Sequence, residues 1–273
     1  MPEGDTILRA ARTLQRALAG RRVTAATAPA LPRAGEDLAG RTIAAVEARG
    51  KNLLIRFDDG RVLRTHMRMT GSWHLYRPGE RWRKPGGAAR VVLETDAWVA
   101  VCFAAPVVEL LASGEEERHA PLASLGPDVL GETFDYAEAV RRLRDLDQTP
   151  LGEALLAQRA VAGIGNIFKS ETLFLTREDP FAPVASVDER RLKRILARSR
   201  ELMQASLGPA PRATRPALTR SREPGARAWV YRREGRPRRR CGTEIRMRRQ
   251  GVEGRSTYFC PKCQGTRRES STY

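Results

Sequence analysis

Apolar residues recur at helical spacing near the start of the chain, at Ile7, Leu8, Ala11, Leu14, Ala17 and Leu18, with Gly20 as a stop. Residues 6–18 are therefore expected to form an amphipathic helix. From Val23 to about Phe103 the pattern shortens to apolar or alternating runs, at residues 42–46, 53–57, 62–65, 91–95 and 99–103. Asp59-Gly60 marks a hairpin between two of them. Residues 77–87, rich in Pro, Gly and charge, read as a loop. The first part of the chain thus predicts a β-sandwich or flattened barrel with a leading helix.

Residues 114–131 read as an irregular linker, after which helical spacing dominates. Asp135 is placed to cap a helix reaching Leu146. Residues 151–158 suggest a second helix and 166–175 a third, with Asn166 as its cap. A long helix begins at Ser186 or Asp188 and reaches Leu207. Residues 209–228 read as a mobile basic loop, and 229–273 as a small cysteine-bearing β unit. The expected architecture is α+β in three parts: a β-sandwich catalytic domain at 1–130, a helical domain at 131–228 and a terminal hairpin at 229–273.

Composition narrows the partners. The 273-residue chain carries a net charge of +17. Residues 209–273 hold 18 Lys and Arg against 5 Asp and Glu, so most of the excess lies in the last quarter. Such a balance favours a polyanion, most simply nucleic acid. A solvated basic tail is the bland alternative, but Trp229, Val230, Tyr231, Tyr258 and Phe259 share the segment. No apolar run approaches a membrane span and no signal-peptide pattern opens the chain, so a cytoplasmic protein is expected.

Chemistry is suggested first at the front end, Met1-Pro2-Glu3-Gly4. Removal of the initiator methionine would expose Pro2 as a secondary amine. An α-amino group titrates near pH 7.7–8, against about 10.4 for lysine, so an appreciable part is nucleophilic at neutral pH. Attack of that amine on a sugar carbon gives an iminium, an electron sink, and Glu3 could move the protons. The alternative is a processing signal followed by a favourable charge at a helix start.

Four further segments carry candidate chemistry. Gly163-Ile164-Gly165-Asn166 permits a tight double turn before a helix, a phosphate-binding arrangement supported by nearby Lys169 and Arg159, or else a plain helical hairpin. Lys51, in Gly50-Lys51-Asn52, is either a snorkelling surface residue or a cation aimed at a sugar-phosphate. Met69, in the turn expected at residues 66–73, is either core packing or a wedge for the base stack. Cys241, Cys260 and Cys263 suggest a structural zinc site, but the position three before Cys241 is Arg238, leaving the set one ligand short. Water or a ligand from elsewhere would complete it, unless packing alone keeps the hairpin and three thiols are left over. Cys102, in an apolar run, reads as a buried hydrophobe.

Together Pro2-Glu3-Gly4, Gly50-Lys51-Asn52, residues 66–71, Leu125-Gly126-Pro127-Asp128, residues 162–168 and residues 255–263 resemble the formamidopyrimidine-DNA glycosylase/endonuclease VIII family. The resemblance implies an N-terminal β-sandwich, a helix–two-turns–helix domain and a zinc-finger hairpin. It implies that Pro2 attacks deoxyribose C1′, that Glu3 is the general acid and base, and that Lys51 meets the sugar-phosphate beside the lesion. It implies that Asn166 and Arg255 grip flanking phosphates, and that damaged DNA is bound by a monomer. Strand cleavage would follow by β- and then δ-elimination.

In the formamidopyrimidine branch an Arg-Phe pair follows a proline, whereas this chain has Pro106-Val107-Val108-Glu109. That departure favours the endonuclease VIII branch and oxidised pyrimidines. Many members carry Glu where Thr6 stands, so Thr6 is given no role. The rival expectations are a non-catalytic DNA-damage-binding protein and a lyase acting mainly on abasic sites.

Overall fold

In the computed structural model residues 2–29, 31, 38–208, 212–214, 227–238 and 241–265 are described. The chain divides into two compact units, residues 1–124 and 125–273.

The first unit is a sandwich of two four-stranded antiparallel sheets behind a leading helix, α1 (Gly4–Leu18). Its strands are β1 (Ala25–Thr27), β2 (Ile43–Arg49), β3 (Asn52–Phe57), β4 (Val62–His66), β5 (Ser72–Tyr76), β6 (Ala89–Glu94), β7 (Val99–Phe103) and β8 (Val107–Leu111). One sheet has the order β2-β3-β4-β8 and the other β1-β6-β7-β5. The apolar stripe of α1, Ile7, Ala11, Leu14 and Leu18, joins Ile43, Leu53, Ile55, Val91, Leu93 and Cys102 in one buried core. Cys102 is thus the expected small hydrophobe, and burial pushes its thiol up to about 12. A smaller cluster of Tyr76, Val101 and Phe103 is covered by Trp82 from the loop that precedes β6.

Two strands depart from the sequence reading. Residues 72–73, expected in a turn, begin β5, and residues 107–111 form β8. Both are half-buried across most of their length, so neither shows a clean alternation. The region expected to be irregular before the second unit contains a one-turn helix, α2 (Ala120–Ala123).

The second unit comprises α3 (Tyr136–Arg144), α4 (Leu151–Ala154), α5 (Asn166–Thr176), α6 (Glu189–Ala205), β9 (Arg246–Gln250), β10 (Arg255–Phe259) and α7 (Pro261–Gln264). Asp135 caps α3 and Asp188 caps α6, each carboxylate accepting from a backbone N–H three residues on. The helix expected over 151–158 stops at Ala154, and turns carry the chain to Gly163. Val129, Leu143, Leu151, Ile164, Phe168, Leu192 and Ile195 form the core. Most of the loop read at 209–228, and residues 266–273 of the terminal unit, lie outside the described residues.

Candidate active site and nucleic-acid interface

In the first unit the chain path gathers the candidate catalytic segments at one rim. The N–H of Gly20 donates to the Ile43 carbonyl at 2.8 Å, and the N–H of Val46 donates to the Gln15 side chain. Helix α1 therefore runs antiparallel to β2. From Gln15 back to Glu3 is twelve helical residues, about 18 Å. From Val46 on to Arg49, where β2 ends and the Gly50-Lys51 turn begins, is three extended residues, about 10 Å. The start of α1 and the β2–β3 turn thus lie toward the same end of the sandwich.

The register brings three more connections to that end. Asn52 pairs with His66, His66 with Val107, and Ser72 with Phe103. The 67–71 turn and the 104–106 connection therefore emerge beside the Gly50-Lys51 turn. Gly50, with φ +61°, takes the first position of a two-residue hairpin loop and leaves Lys51 half-exposed at its tip. A side chain at Gly71 would lie 2.7 Å from Cα of Met67, which explains the glycine that closes the next turn. Within that turn Met67 is buried in the core, whereas Met69 is 60% exposed. Thr70 Oγ1 anchors the turn to the Ala104 carbonyl at 2.9 Å.

Pro2 is half-buried and Glu3 is 0% exposed. The Glu3 carbonyl accepts the N–H groups of Thr6 and Ile7, which fixes the first turn of α1 beside the proline. Asp5 is buried as well, so two carboxylates lie behind the front end.

Around Lys51 the rim is cationic. Burial, then the charges of Arg64, Lys51 and Arg68, lowers the His66 imidazole to about 4. Its Nδ1 accepts the Arg68 N–H at 3.3 Å, so the neutral ring carries its proton on Nε2. Arg64 is buried and braces the turn: its Nε donates to Asn52 Oδ1 at 3.0 Å, and Asn52 Nδ2 donates to the Arg49 carbonyl at 3.1 Å. Its guanidinium also pairs with Glu109 Oε2, the same oxygen that His119 Nε2 meets at 3.1 Å. Arg64 carried no sequence signal of its own, being one arginine among many, and His66 entered only as the first residue of the 66–71 segment.

In the second unit, two of the motifs pack on each other. Ala162 donates to the Pro127 carbonyl, and Val129 donates to the Ala162 carbonyl. A Cβ at Gly126 would sit 2.6 Å from the Ala160 carbonyl carbon. Gly163 has φ +99°, and its N–H is held by Gln158 Oε1 at 3.0 Å. The cap of α5 is Gly165; Asn166 is the first helical residue, not the cap. Freed from capping, Asn166 Nδ2 donates to Ser256 Oγ at 3.1 Å, while its Oδ1 is buried with no hydrogen-bond partner among the described residues.

Lys169 is turned into the protein. It is 0% exposed, and its Nζ donates to Thr257 Oγ1 at 2.7 Å and to the Ser256 carbonyl at 3.3 Å. Less than one turn of helix separates it from Asn166, and both side chains reach Ser256 of the hairpin. Arg255, exposed at the start of β10, is paired with Glu253 across 2.6 Å. Glu171, unnoticed in the sequence, is buried and accepts the N–H groups of Trp229, Val230 and Tyr231, each at 2.8 Å. It pins the entry into the hairpin.

Comparison with known proteins agrees with both units. The model of the formamidopyrimidine-DNA glycosylase N-terminal domain matches residues 1–106, and that of the H2TH domain of the same enzymes matches residues 125–214. The chain belongs to the formamidopyrimidine-DNA glycosylase/endonuclease VIII family. It is 41% identical over 267 residues to the probable endonuclease 8 2 of Streptomyces coelicolor, covering 97% of this chain and 94% of that one. It is 35% identical to the DNA-(apurinic or apyrimidinic site) lyase Nei2 of Mycolicibacterium smegmatis, covering 97% and 99%. These relatives support the endonuclease VIII branch. Among solved structures, the Lactococcus lactis Fpg bound to N7-benzyl-Fapy-dG DNA superposes with a TM-score of 0.80 at 25% identity, covering 97% and 100%.

The family implies a zinc-bearing hairpin. Here Sγ atoms of Cys241, Cys260 and Cys263 all lie within 4.8 Å of one another and could hold a metal ion. The Cys241–Cys260 and Cys241–Cys263 separations are 3.7 and 3.5 Å. Zinc–sulfur bonds of about 2.3 Å require tetrahedral edges of about 3.8 Å, so three corners fit. The fourth does not: Arg238 Nη1 donates to Cys263 Sγ at 2.8 Å. A guanidinium has no lone pair to offer a metal. The described residues thus do not complete a closed structural zinc site.

Proposed function

We propose that this protein is a bifunctional DNA glycosylase and abasic-site lyase of base excision repair, acting on oxidised pyrimidines in DNA. The observation that carries the reading is the shared rim of the first unit, where the start of α1, the Lys51 turn and the Met69 turn emerge together.

The chemistry begins once Met1 is removed. The Pro2 nitrogen attacks C1′ of an extruded nucleoside and the bond from C1′ to the base breaks, the base leaving with a proton. The bond from C1′ to the ring oxygen then opens, that oxygen takes a proton from Glu3, and an iminium remains. Its positive charge acidifies the C2′ proton, which the Glu3 carboxylate removes as the 3′ phosphate departs. A second elimination releases the 5′ phosphate, and water hydrolyses the adduct. Lys51 and the Nε2–H of neutral His66 meet the sugar-phosphate, where their charge and dipole assist departure of an anion. Met69 fills the gap left in the duplex, and Asn166 and Arg255 hold flanking phosphates.

Borohydride trapping on an oligonucleotide with one lesion tests this reading, with the N-terminal mass determined on the same sample. A covalent adduct is expected, weakened by Pro2→Gly and abolished by an N-terminal extension. Absence of an adduct from protein with a verified free proline would leave a damage-binding protein. A second reading, a lyase mainly for abasic sites, is favoured by β8: Val107 and Val108 lie in a strand, leaving Met69 as the exposed wedge among the described residues. A lesion panel separates the two, since that reading requires cleavage at abasic sites without excision of any oxidised base.

A further inference from the structure

We propose that the cysteine hairpin is a metal-independent finger in which the Arg238 guanidinium occupies the fourth corner and replaces the metal as the cation holding the cysteine sulfurs. The inference does not depend on the catalytic reading above. It starts from where Arg238 is held. The backbone N–H of Arg238 donates to the Thr243 carbonyl at 2.8 Å, and its own carbonyl accepts from Gly242 at 2.9 Å. This closes the knuckle that normally presents a thiolate. The guanidinium lies 4.9 Å from the ring centroid of Phe174 on α5 and donates to Cys263 Sγ. A dication among the three sulfurs would therefore sit against a fixed positive charge that cannot deprotonate or ligate.

The hairpin also has anchors that a metal would otherwise have to supply. Phe174, Val230, Ile245 and Cys260 are buried together. Glu171 gathers three successive backbone N–H groups at the entry. Cys260 donates its N–H to Gln264 Oε1, and Gln264 Nε2 donates to the Glu178 carbonyl, both at 2.9 Å. Phe181 meets Phe259 edge to face with centroids 5.0 Å apart. A finger that folds only with metal lacks such a core, which is why chelators unfold it.

The test is zinc content and chelator response of the full-length protein. After growth with added zinc, the wild type is expected to hold well under one zinc per chain. Its melting temperature and its alkylation by iodoacetamide should not change with a strong chelator. Arg238→Cys should gain about one zinc per chain and become chelator-sensitive. Arg238→Met, which removes the cation without adding a ligand, should lower the melting temperature by several degrees whether or not chelator is present. One tightly held zinc in the wild type, with loss of melting temperature on chelation, would overturn the proposal. So would an Arg238→Met variant as stable as the wild type. If Arg238→Cys fails to fold, these two measurements still decide.

Discussion

Lys169 Nζ donates to Thr257 Oγ1 at 2.7 Å, so the first turn of α5 and strand β10 share a fully buried contact. Thr257 passes the contact on to Gln250, whose amide reaches the Pro180 carbonyl at 2.9 Å. Lys169→Met leaves these oxygens short of a donor and is expected to cost about 2–4 kcal/mol in the second unit. Denaturant unfolding measures the loss. The salt dependence of DNA affinity should keep its slope, whereas Arg255→Ala should make it shallower by about one counterion. A reduced slope in Lys169→Met would return that ammonium to the phosphates.

Lys51 and Glu3 should separate turnover from binding. Lys51→Ala and Glu3→Gln are expected to lower single-turnover base excision by about a hundredfold or more. DNA affinity, measured at one fixed salt concentration, should change only a few-fold. Parallel losses of affinity and rate would assign both residues to binding alone.

Met69 is 60% exposed, so truncation should barely touch stability, within about 0.5 kcal/mol. Met69→Ala is instead expected to slow excision from duplex DNA and to leave cleavage of a single-stranded abasic oligonucleotide unchanged. Equal slowing on both substrates would remove the wedge role, because a single strand has no stack to fill.

His66 ties folding to pH. Burial and the neighbouring cations lower its imidazole from 6.5 to about 4 in the folded protein. The unfolded chain therefore binds the extra proton first as pH falls. The contribution of neutral His66 is fully present above pH 6.5, is lost between 6.5 and about 4, and is flat below. Discounted for partial exposure, it amounts to about 1–2 kcal/mol. His66→Gln should flatten that part of the stability profile; an unchanged acid limb would mean that other groups cause it.

Helix α1 and strands β2, β3, β4, β6 and β7 were legible because their apolar periodicity is strong or their hairpin carries Asp-Gly. β5 and β8 were not, since Trp73 and Val108 each carry only part of their surface inward and blur the alternation. Among candidate site residues, the turn that carries Lys51 was readable from its glycine and strand context. The capping role expected of Asn166 was misassigned: Gly165 caps the helix, and the asparagine is released for other partners. The burial of Lys169 was not legible, because proximity in sequence to a glycine turn says nothing of which way a helical side chain points. Glu171 and Arg64 act across 59 and 45 residues, to Val230 and Glu109, and no local pattern encodes such reach.

Because the loops that matter exit the sandwich at one rim, the far rim is free of those demands. Its turns at residues 58–61 and 95–98 join neighbouring strands and carry no residue implicated in chemistry. A dye or a short peptide grafted there is expected to report on the enzyme at work and to leave the proposed front-end chemistry unblocked.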